Sequence, residues 1–301
     1  MLEVSIIIVN YNTKDLVIDC IRSVINNTKA ISYEIILVDN ASTDGSVENV
    51  KEIFPSINII SSSVNLGFGR ANNLASQNAK GEFLFFLNSD TVLVEDSISK
   101  LYYFFISNEN EIKIGALGCI LVDKTFQVNG FGGKFPTCKE EMKGLFRTML
   151  LNMKLITSHR KQTYPLNKEF FEVDYVIGAD LMMRSSLFKK LNGFDPSFFM
   201  YYEETDLQKR MSLLNLKAFI YTKTRIIHLE DGSGKLIKTY SNRKRIIIHT
   251  SRNIYLKKND SRNYNIYVYW DKLYLFFSKF NKKYSFSENK QYSLEVKKTH
   301  T

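Results

Sequence analysis

Along the first 122 positions, apolar residues come in short runs that each end in polar ones. Val4 to Val9 is an unbroken run rich in Ile and Val, the pattern of a strand covered on both faces. Glu34 to Val38, Ile57 to Ile60 and Phe83 to Leu87 repeat it. Between these runs the period becomes helical. One helix is expected over Lys14 to Ile25, with Asn12 as its cap and Asp15 in its first turn. A second follows Asp44-Gly45 as far as Phe54, a third covers Arg70 to Ala79 and stops near Gly81, and a fourth covers Glu95 to Ile106. Ile114 to Val122 is a further apolar stretch. The alternation predicts an α/β fold with a mostly parallel central sheet flanked by helices. Such sheets bind ligands beyond the carboxyl ends of their strands.

After residue 122 the pattern weakens. Asp123-Lys124, Asn129-Gly130 and Gly132-Gly133 signal turns, and residues 136–170 show no clear period. Val173 to Met183 suits a strand, and Ser186 to Leu191 a short helix closed by Gly193. Glu203 to Leu214 suits a helix whose acidic first turn complements its dipole. Residues 243–280 are expected to be helical and the last twenty or so frayed. No uncharged apolar run approaches the roughly 18 residues of a transmembrane helix.

Cysteine and charge narrow the class. Cys20, Cys119 and Cys138 are odd in number and widely spaced, so neither a zinc knuckle nor a disulfide frame is expected. The apolar start carries Glu3 and no basic leader, unlike a secretory signal. A cytoplasmic location follows as the expectation. Residues 1–206 hold 20 Lys/Arg and 25 Asp/Glu, whereas residues 207–301 hold 21 and 6. So basic a C-terminal part suits an anionic partner, or else a solvated lysine-rich face.

The polar strand ends are the candidate chemistry. The first strand runs into Asn10-Tyr11-Asn12, the second into Asp39-Asn40, the third into the Asn65–Asn73 loop, and the fourth into Asn88-Ser89-Asp90. In a parallel sheet all four gather on one edge. A nucleotide needs a flat partner for its base, an acceptor for a base N–H, donors for ribose and phosphate, and a hard cation for a diphosphate. Tyr11, Asp39, the Gly67–Asn73 loop and Asp90 supply these in order. Taken singly, Tyr11 can simply pack, and Asp39 or Asp90 can cap a turn.

These segments, VSIIIVNYN (4–12), EIILVDNASTDGS (34–46), NLGFGRANN (65–73) and GEFLFFLNSD (81–90), are followed by IGADLMMRSSLFKKLNGFDPSFFMYYEETDLQKR (177–210) and HLEDGS (228–233). In this order the set resembles the family 2 glycosyltransferases of the GT-A fold, particularly the rhamnosyltransferase-like branch. The resemblance spans residues 4 to about 235. It implies an inverting transfer from a UDP- or dTDP-sugar, dTDP-rhamnose among the candidates, to a hydroxyl of a saccharide or lipid-linked saccharide in surface polysaccharide synthesis. It implies that Asn10, Tyr11, Asp39, Asn65, Gly67, Asn72, Asn88 and Ser89 contact the nucleotide-sugar. Asp90 and His228 would meet a divalent metal, Mg2+ or Mn2+. Gly178, Ala179 and Asp180 would line the sugar or acceptor site. The catalytic base would come from Glu203, Glu204 or Asp206. Two departures stand out: Asn88-Ser89-Asp90 offers one carboxylate where many relatives have two, and Glu203-Glu204 stands where Glu-Asp is common.

Two rivals are weaker. A dinucleotide oxidoreductase needs G-x-G-x-x-G after the first strand, where this chain has Asn10-Tyr11-Asn12-Thr13. A non-catalytic carbohydrate- or nucleotide-binding protein leaves Asp90, Glu204 and His228 unexplained. The expected organisation is a catalytic domain over residues 1–235, its nucleotide-binding half at 1–122 and its acceptor half at 123–235, then a basic, aromatic, helical extension over 236–301. No nucleic-acid partner is expected. The extension suits either peripheral docking on an anionic membrane through residues 235–280, or packing and homodimer contact.

Overall fold

The computed structural model describes residues 2–152, 165–229 and 240–300. The strands are β1 Val4–Asn10, β2 Tyr33–Asn40, β3 Asn58–Ser62, β4 Phe83–Asn88, β5 Thr91–Leu93, β6 Ile114–Val122, β7 Val128–Gly130, β8 Gly132–Gly133, β9 Phe170–Val173, β10 Tyr175–Val176, β11 Asp180–Arg184 and β12 Lys217–His228. The helices are α1 Lys14–Asn27, α2 Ser46–Ile53, α3 Phe68–Ser76, α4 Ser97–Ile112, α5 Cys138–Asn152, α6 Ser185–Lys190, α7 Glu203–Ser212, α8 Tyr240–Asn259, α9 Ser261–Ser278 and α10 Phe286–Lys297.

The main sheet is ordered β3-β2-β1-β4-β11-β6-β12-β5. β3, β2, β1 and β4 are parallel neighbours, as are β6 and β12. β11 lies antiparallel between β4 and β6. Residues along β1 alternate between two cores. Ile6 and Ile8 join the core under α1 and α4, and Ile7 joins the one under α3 and α7. Both faces are therefore covered, which is why the run lacks polar alternation.

The chain divides into two compact units. The first comprises residues 1–134, 165–199 and 203–236, and contains the whole main sheet. The second comprises 135–164, 200–202 and 237–301. It gathers α5 from the weakly patterned segment together with α8, α9 and α10.

Several local expectations are corrected. Asn12 does not cap α1. It sits at φ +53°, and its side-chain oxygen accepts from Thr43 N at 2.8 Å. The first free amide of α1, Lys14 N, donates instead to Asp44 Oδ2 at 2.9 Å. The stretch from Val173 to Met183 is not one strand but breaks between β10 and β11. Nor is the end of the chain frayed. Ser285 and Glu288 form a reciprocal capping box, and α10 buries Tyr292 and Val296.

Candidate active site

The parallel strands end in register, and hydrogen bonds then join their polar ends. Asn10 lies beside Asp39 across the β1–β2 ladder. Its amide donates to Asp39 Oδ1 at 3.3 Å and to Ser42 Oγ at 3.0 Å. Asp39 is buried and its other oxygen accepts from Ser42 N at 3.1 Å, which fixes the carboxylate. Tyr11, next along, is exposed and free to meet a planar ligand.

The third strand end is clamped by Asn40. Its amide donates to Asn65 Oδ1 and to the Gly67 carbonyl, each at 3.1 Å, and its oxygen accepts from Leu66 N at 2.8 Å. Gly67 has φ +80°, and a Cβ there would lie 2.0 Å from the Phe199 carbonyl oxygen. Only glycine fits on both counts. Asn72 is buried and donates to the Phe68 carbonyl at 3.0 Å, so in this arrangement it stiffens α3.

The fourth strand end joins the first through Thr13. Its hydroxyl donates to Asn10 Oδ1 at 2.6 Å and lies 3.1 Å from Ser89 Oγ. Beyond Ser89, Asp90 Oδ1 lies 3.3 Å from His228 Nε2 at the end of β12. Asn88 Nδ2 lies 3.4 Å from the same nitrogen. A carboxylate oxygen and an imidazole nitrogen at this spacing suit two neighbouring ligands of one divalent cation, such as Mg2+ or Mn2+. Among the described residues no third His, Cys, Asp or Glu joins them. The residues fit a cation that takes its other ligands from phosphate and water. Glu230 to Ser233 of the HLEDGS segment lie outside the described residues.

The break between β10 and β11 brings Gly178 and Ala179 to this edge. The Ala179 carbonyl accepts from Asn88 N at 3.1 Å. A Cβ on Gly178 would lie 3.1 Å from the Phe68 ring and 3.8 Å from Glu204 Cβ. Asp180 points inward and is fully buried; its Oδ2 accepts from Cys119 N at 2.6 Å, while Oδ1 has no hydrogen-bond partner among the described residues. Loss of water pushes its carboxyl up to about 7, against the hydrogen bond from Cys119.

The three acids of α7 differ in surroundings. Asp206 is fully buried and accepts from Arg210 Nε at 2.9 Å; the same guanidinium donates to the Leu191 carbonyl and, at 2.8 Å, to that of Gly193. Asp206 thus braces the turn after α6. Glu203 is buried against Gly69 of α3. Glu204 is partly exposed beside Gly178, and desolvation pushes its carboxyl up to about 7. Tyr201 and Tyr202, just before α7, both sit at φ +69°. Two successive left-handed tyrosines cost on the order of 1 kcal/mol each, a strain that clusters at functional sites.

Asn40 was noted from the sequence only as a polar strand end, and Ser42, Thr13 and Asp44 were given no role in the site, yet these four hold it together. The signal was the density of short polar residues after the second strand. Burial pushes the Asp44 carboxyl up, but hydrogen bonds from Ser46 and from Lys14 N outweigh it and leave it below the usual range.

The family model of glycosyl transferase family 2 matches residues 5–191, more than half of the chain. The chain belongs to glycosyl transferase family 2. It is 26% identical over 235 residues to the Rhamnosyltransferase WbbL of Escherichia coli, covering 75% of this chain and 83% of that protein. It is 35% identical over 121 residues to the Poly(ribitol-phosphate) beta-glucosyltransferase of Bacillus spizizenii, covering 38% of this chain but only 19% of that protein. The chain also spans only 18% of the O-antigen biosynthesis protein RfbC of Myxococcus xanthus, at 26% identity over 77% of its own length. Among solved structures, the mannosyltransferase PcManGT from Pyrobaculum calidifontis, in complex with GDP-Man and Mn2+, superposes with a TM-score of 0.57 at 13% identity, covering 99% of this chain and 74% of that one. S. aureus TarS 1-349 in complex with UDP gives 0.52 at 14% identity, covering 88% and 72%. The fold of this family 2 chain is GT-A.

Proposed function

We propose that the chain transfers a sugar, with inversion, from a UDP- or dTDP-sugar such as dTDP-rhamnose to a hydroxyl of a saccharide or lipid-linked saccharide in surface polysaccharide synthesis. One observation carries the reading: the polar strand ends meet along one edge, with Asn10 bonded to Asp39, Thr13 to Asn10 and to Ser89, and Asn88 N to the Ala179 carbonyl, while Gly178 next in the chain lies near Glu204. Such an edge can hold a base at one end, a diphosphate in the middle and a reacting hydroxyl at the other.

In this reading Tyr11 stacks on the base and Asp39 accepts from it. Asn65, Gly67 and Asn72 shape the wall beside the ribose and diphosphate. Gly178 and Ala179 leave room for the sugar or acceptor, and Asp180 supports them from behind. Asp90 and His228 hold a divalent cation, which offsets the charge gained by the leaving nucleoside diphosphate. Glu204 accepts the proton of the incoming hydroxyl. A carboxyl near 7 is half ionised at neutral pH and a stronger base than a solvated one. Glu203 positions its neighbour, and Asp206 braces α7. The first unit, residues 1–134, 165–199 and 203–236, carries the catalysis, and the second, in which residues 135–164 and 200–202 join 237–301, places it at a membrane carrying the acceptor.

Support comes from relatives named for rhamnosyl and glucosyl transfer and from fold neighbours in complex with UDP or with GDP-Man and Mn2+. The non-catalytic alternative has no comparable observation behind it. Asp90→Asn is expected to lower turnover by about a hundredfold or more with an unchanged circular dichroism spectrum. Proton NMR of the first product should show the opposite anomeric configuration to the donor. Near-normal turnover in the variant would remove the cation role, and a retained configuration would remove direct displacement.

A further inference from the structure

α9 carries two apolar faces. One packs inward through Tyr264, Tyr267, Leu275 and the buried Asp271. The other is exposed and follows the helical period along the whole element: Ile266, Tyr269, Trp270, Leu273, Phe276 and Phe277. Phe280, just past the helix end, extends the stripe and is 68% exposed. A helix apolar on both sides is expected in a large core or a bilayer, not with one side in water.

Charge decides what covers the stripe. From Ser261 to Ser287 the chain carries Arg262, Lys272, Lys279, Lys282 and Lys283 against one acid, Asp271. That acid is buried between His249 Nε2 at 2.8 Å and His300 Nε2 at 2.7 Å. Within this segment the charge left facing water is thus cationic, and the flanking acids Asp260 and Glu288 are engaged by the backbone amides of Cys138 and Ser285. At helical spacing Lys272 borders the stripe, and Arg262 stands at its start. A second copy of this chain, docked face to face by a two-fold, would bring these cations against themselves.

We propose that this face of α9 docks on an anionic lipid surface, with Tyr269, Trp270, Phe276 and Phe280 at the level of the headgroups. The proposal deepens the reading of a membrane-borne acceptor. It also reassigns the contact within residues 235–280. Arg245 of α8 lies 3.6 Å over the Tyr284 ring and 4.2 Å over that of Tyr292, and Arg252 binds Glu141 at 3.1 Å, so these cations are spent inside the unit. Lys235 and Lys238 lie outside the described residues.

Trp270 is the only tryptophan in the chain and stands on the stripe, so the natural protein reports on its own docking. Full-length protein is mixed with vesicles of phosphatidylglycerol, of phosphatidylcholine, and of phosphatidylglycerol brominated on its acyl chains. Trp270 emission should shift to the blue with phosphatidylglycerol, be quenched by the brominated lipid, and return with added salt. Lys272→Gln, Lys282→Gln and Lys283→Gln together should weaken binding on the order of a hundredfold at low salt. Tyr269→Ser, Phe276→Ser and Phe280→Ser together should abolish the quenching, with nucleotide release from a soluble acceptor assay unchanged. No quenching by the brominated lipid would overturn the proposal. So would a triple serine variant that binds as well as the natural protein, or one that turns a dimer into a monomer when lipid has no effect on either. Lipid binding without any nucleotide release would count against the transfer reading and leave this one standing.

Discussion

Glu204 is the residue on which chemistry and stability pull in opposite directions. Its carboxyl is pushed from an ordinary 4.5 up to about 7 by desolvation. The folded protein therefore binds a proton more tightly than the unfolded chain between those values, and stability falls as pH rises through that window. Transfer, which needs the ionised form, should rise through the same window and level off above about 7. Glu204→Gln is expected to abolish transfer, keep donor binding by calorimetry, and raise the melting temperature at pH 8, by no more than about 3 kcal/mol in stability. Asp206→Asn is the control: it loses the Arg210 ion pair and so loses stability, without the loss of proton acceptance. An active Glu204→Gln enzyme beside a dead but stable Asp206→Asn enzyme would mean that the base had been assigned to the wrong carboxylate. The sequence could place these acids on the first turn of one helix, since they follow each other in the chain. The four-residue spacing of Asp206 and Arg210 was legible too, but the burial that separates the three acids was not, because the Leu191 and Gly193 carbonyls that hold Arg210 come from the turn after α6.

The elements show where local pattern suffices. The runs at 4–9, 34–38 and 83–87 became strands because each side chain found a covered face. α1 shows the limit: its N-terminal partner, Asp44, is 30 residues away, so no local rule could find it. The capping box at Ser285 and Glu288 is a local signal, and its Ser-x-x-Glu spacing was legible in the chain. The interruption at Gly178-Ala179 was not, because it depends on contacts with Asn88, Phe68 and Glu204. The loop before α3 offers a test at this scale. Gly67→Ala would set a methyl 2.0 Å from the Phe199 carbonyl oxygen in a backbone conformation that disfavours it. Donor affinity is expected to fall by about tenfold or more and the melting temperature to drop, because the loop must move to relieve the overlap. Unchanged donor affinity by titration calorimetry would show that this loop does not line the donor site.

On the scale of the whole chain, the two units respond differently to acid. In the second unit His249 is buried beside Asp271 and Tyr292. Loss of water and the charge of Arg252 lower its imidazole from an ordinary 6.5 to about 4, against the pull of Asp271. The unfolded chain then binds more protons between those values, so this unit's stability should fall as pH drops from about 6.5 to about 4. Glu204 in the first unit acts with the opposite sign over an overlapping range. Hydrogen exchange at pH 7 and pH 5 should show amides of α8 and α10 losing protection in acid, and His249→Gln should remove that dependence. Charge distribution, legible from the sequence alone, foretold that the C-terminal part differs from the rest. That α5 belongs with it was not legible, because α5 packs on α9 from far along the chain.

Glycosyl transfer from a nucleotide-sugar at the joined strand ends releases a nucleoside diphosphate, and that release can be measured. The chain is incubated with a panel of UDP-, dTDP- and GDP-sugars, with and without Mg2+ or Mn2+, and the free nucleoside diphosphate is measured. Release is expected from at least one UDP- or dTDP-sugar, faster with a hydroxyl acceptor, stopped by chelator and restored by metal, and reduced about a hundredfold or more in Asp90→Asn. Binding of nucleotide-sugars with no release from any of them, or release at the same rate in chelator, would contradict it.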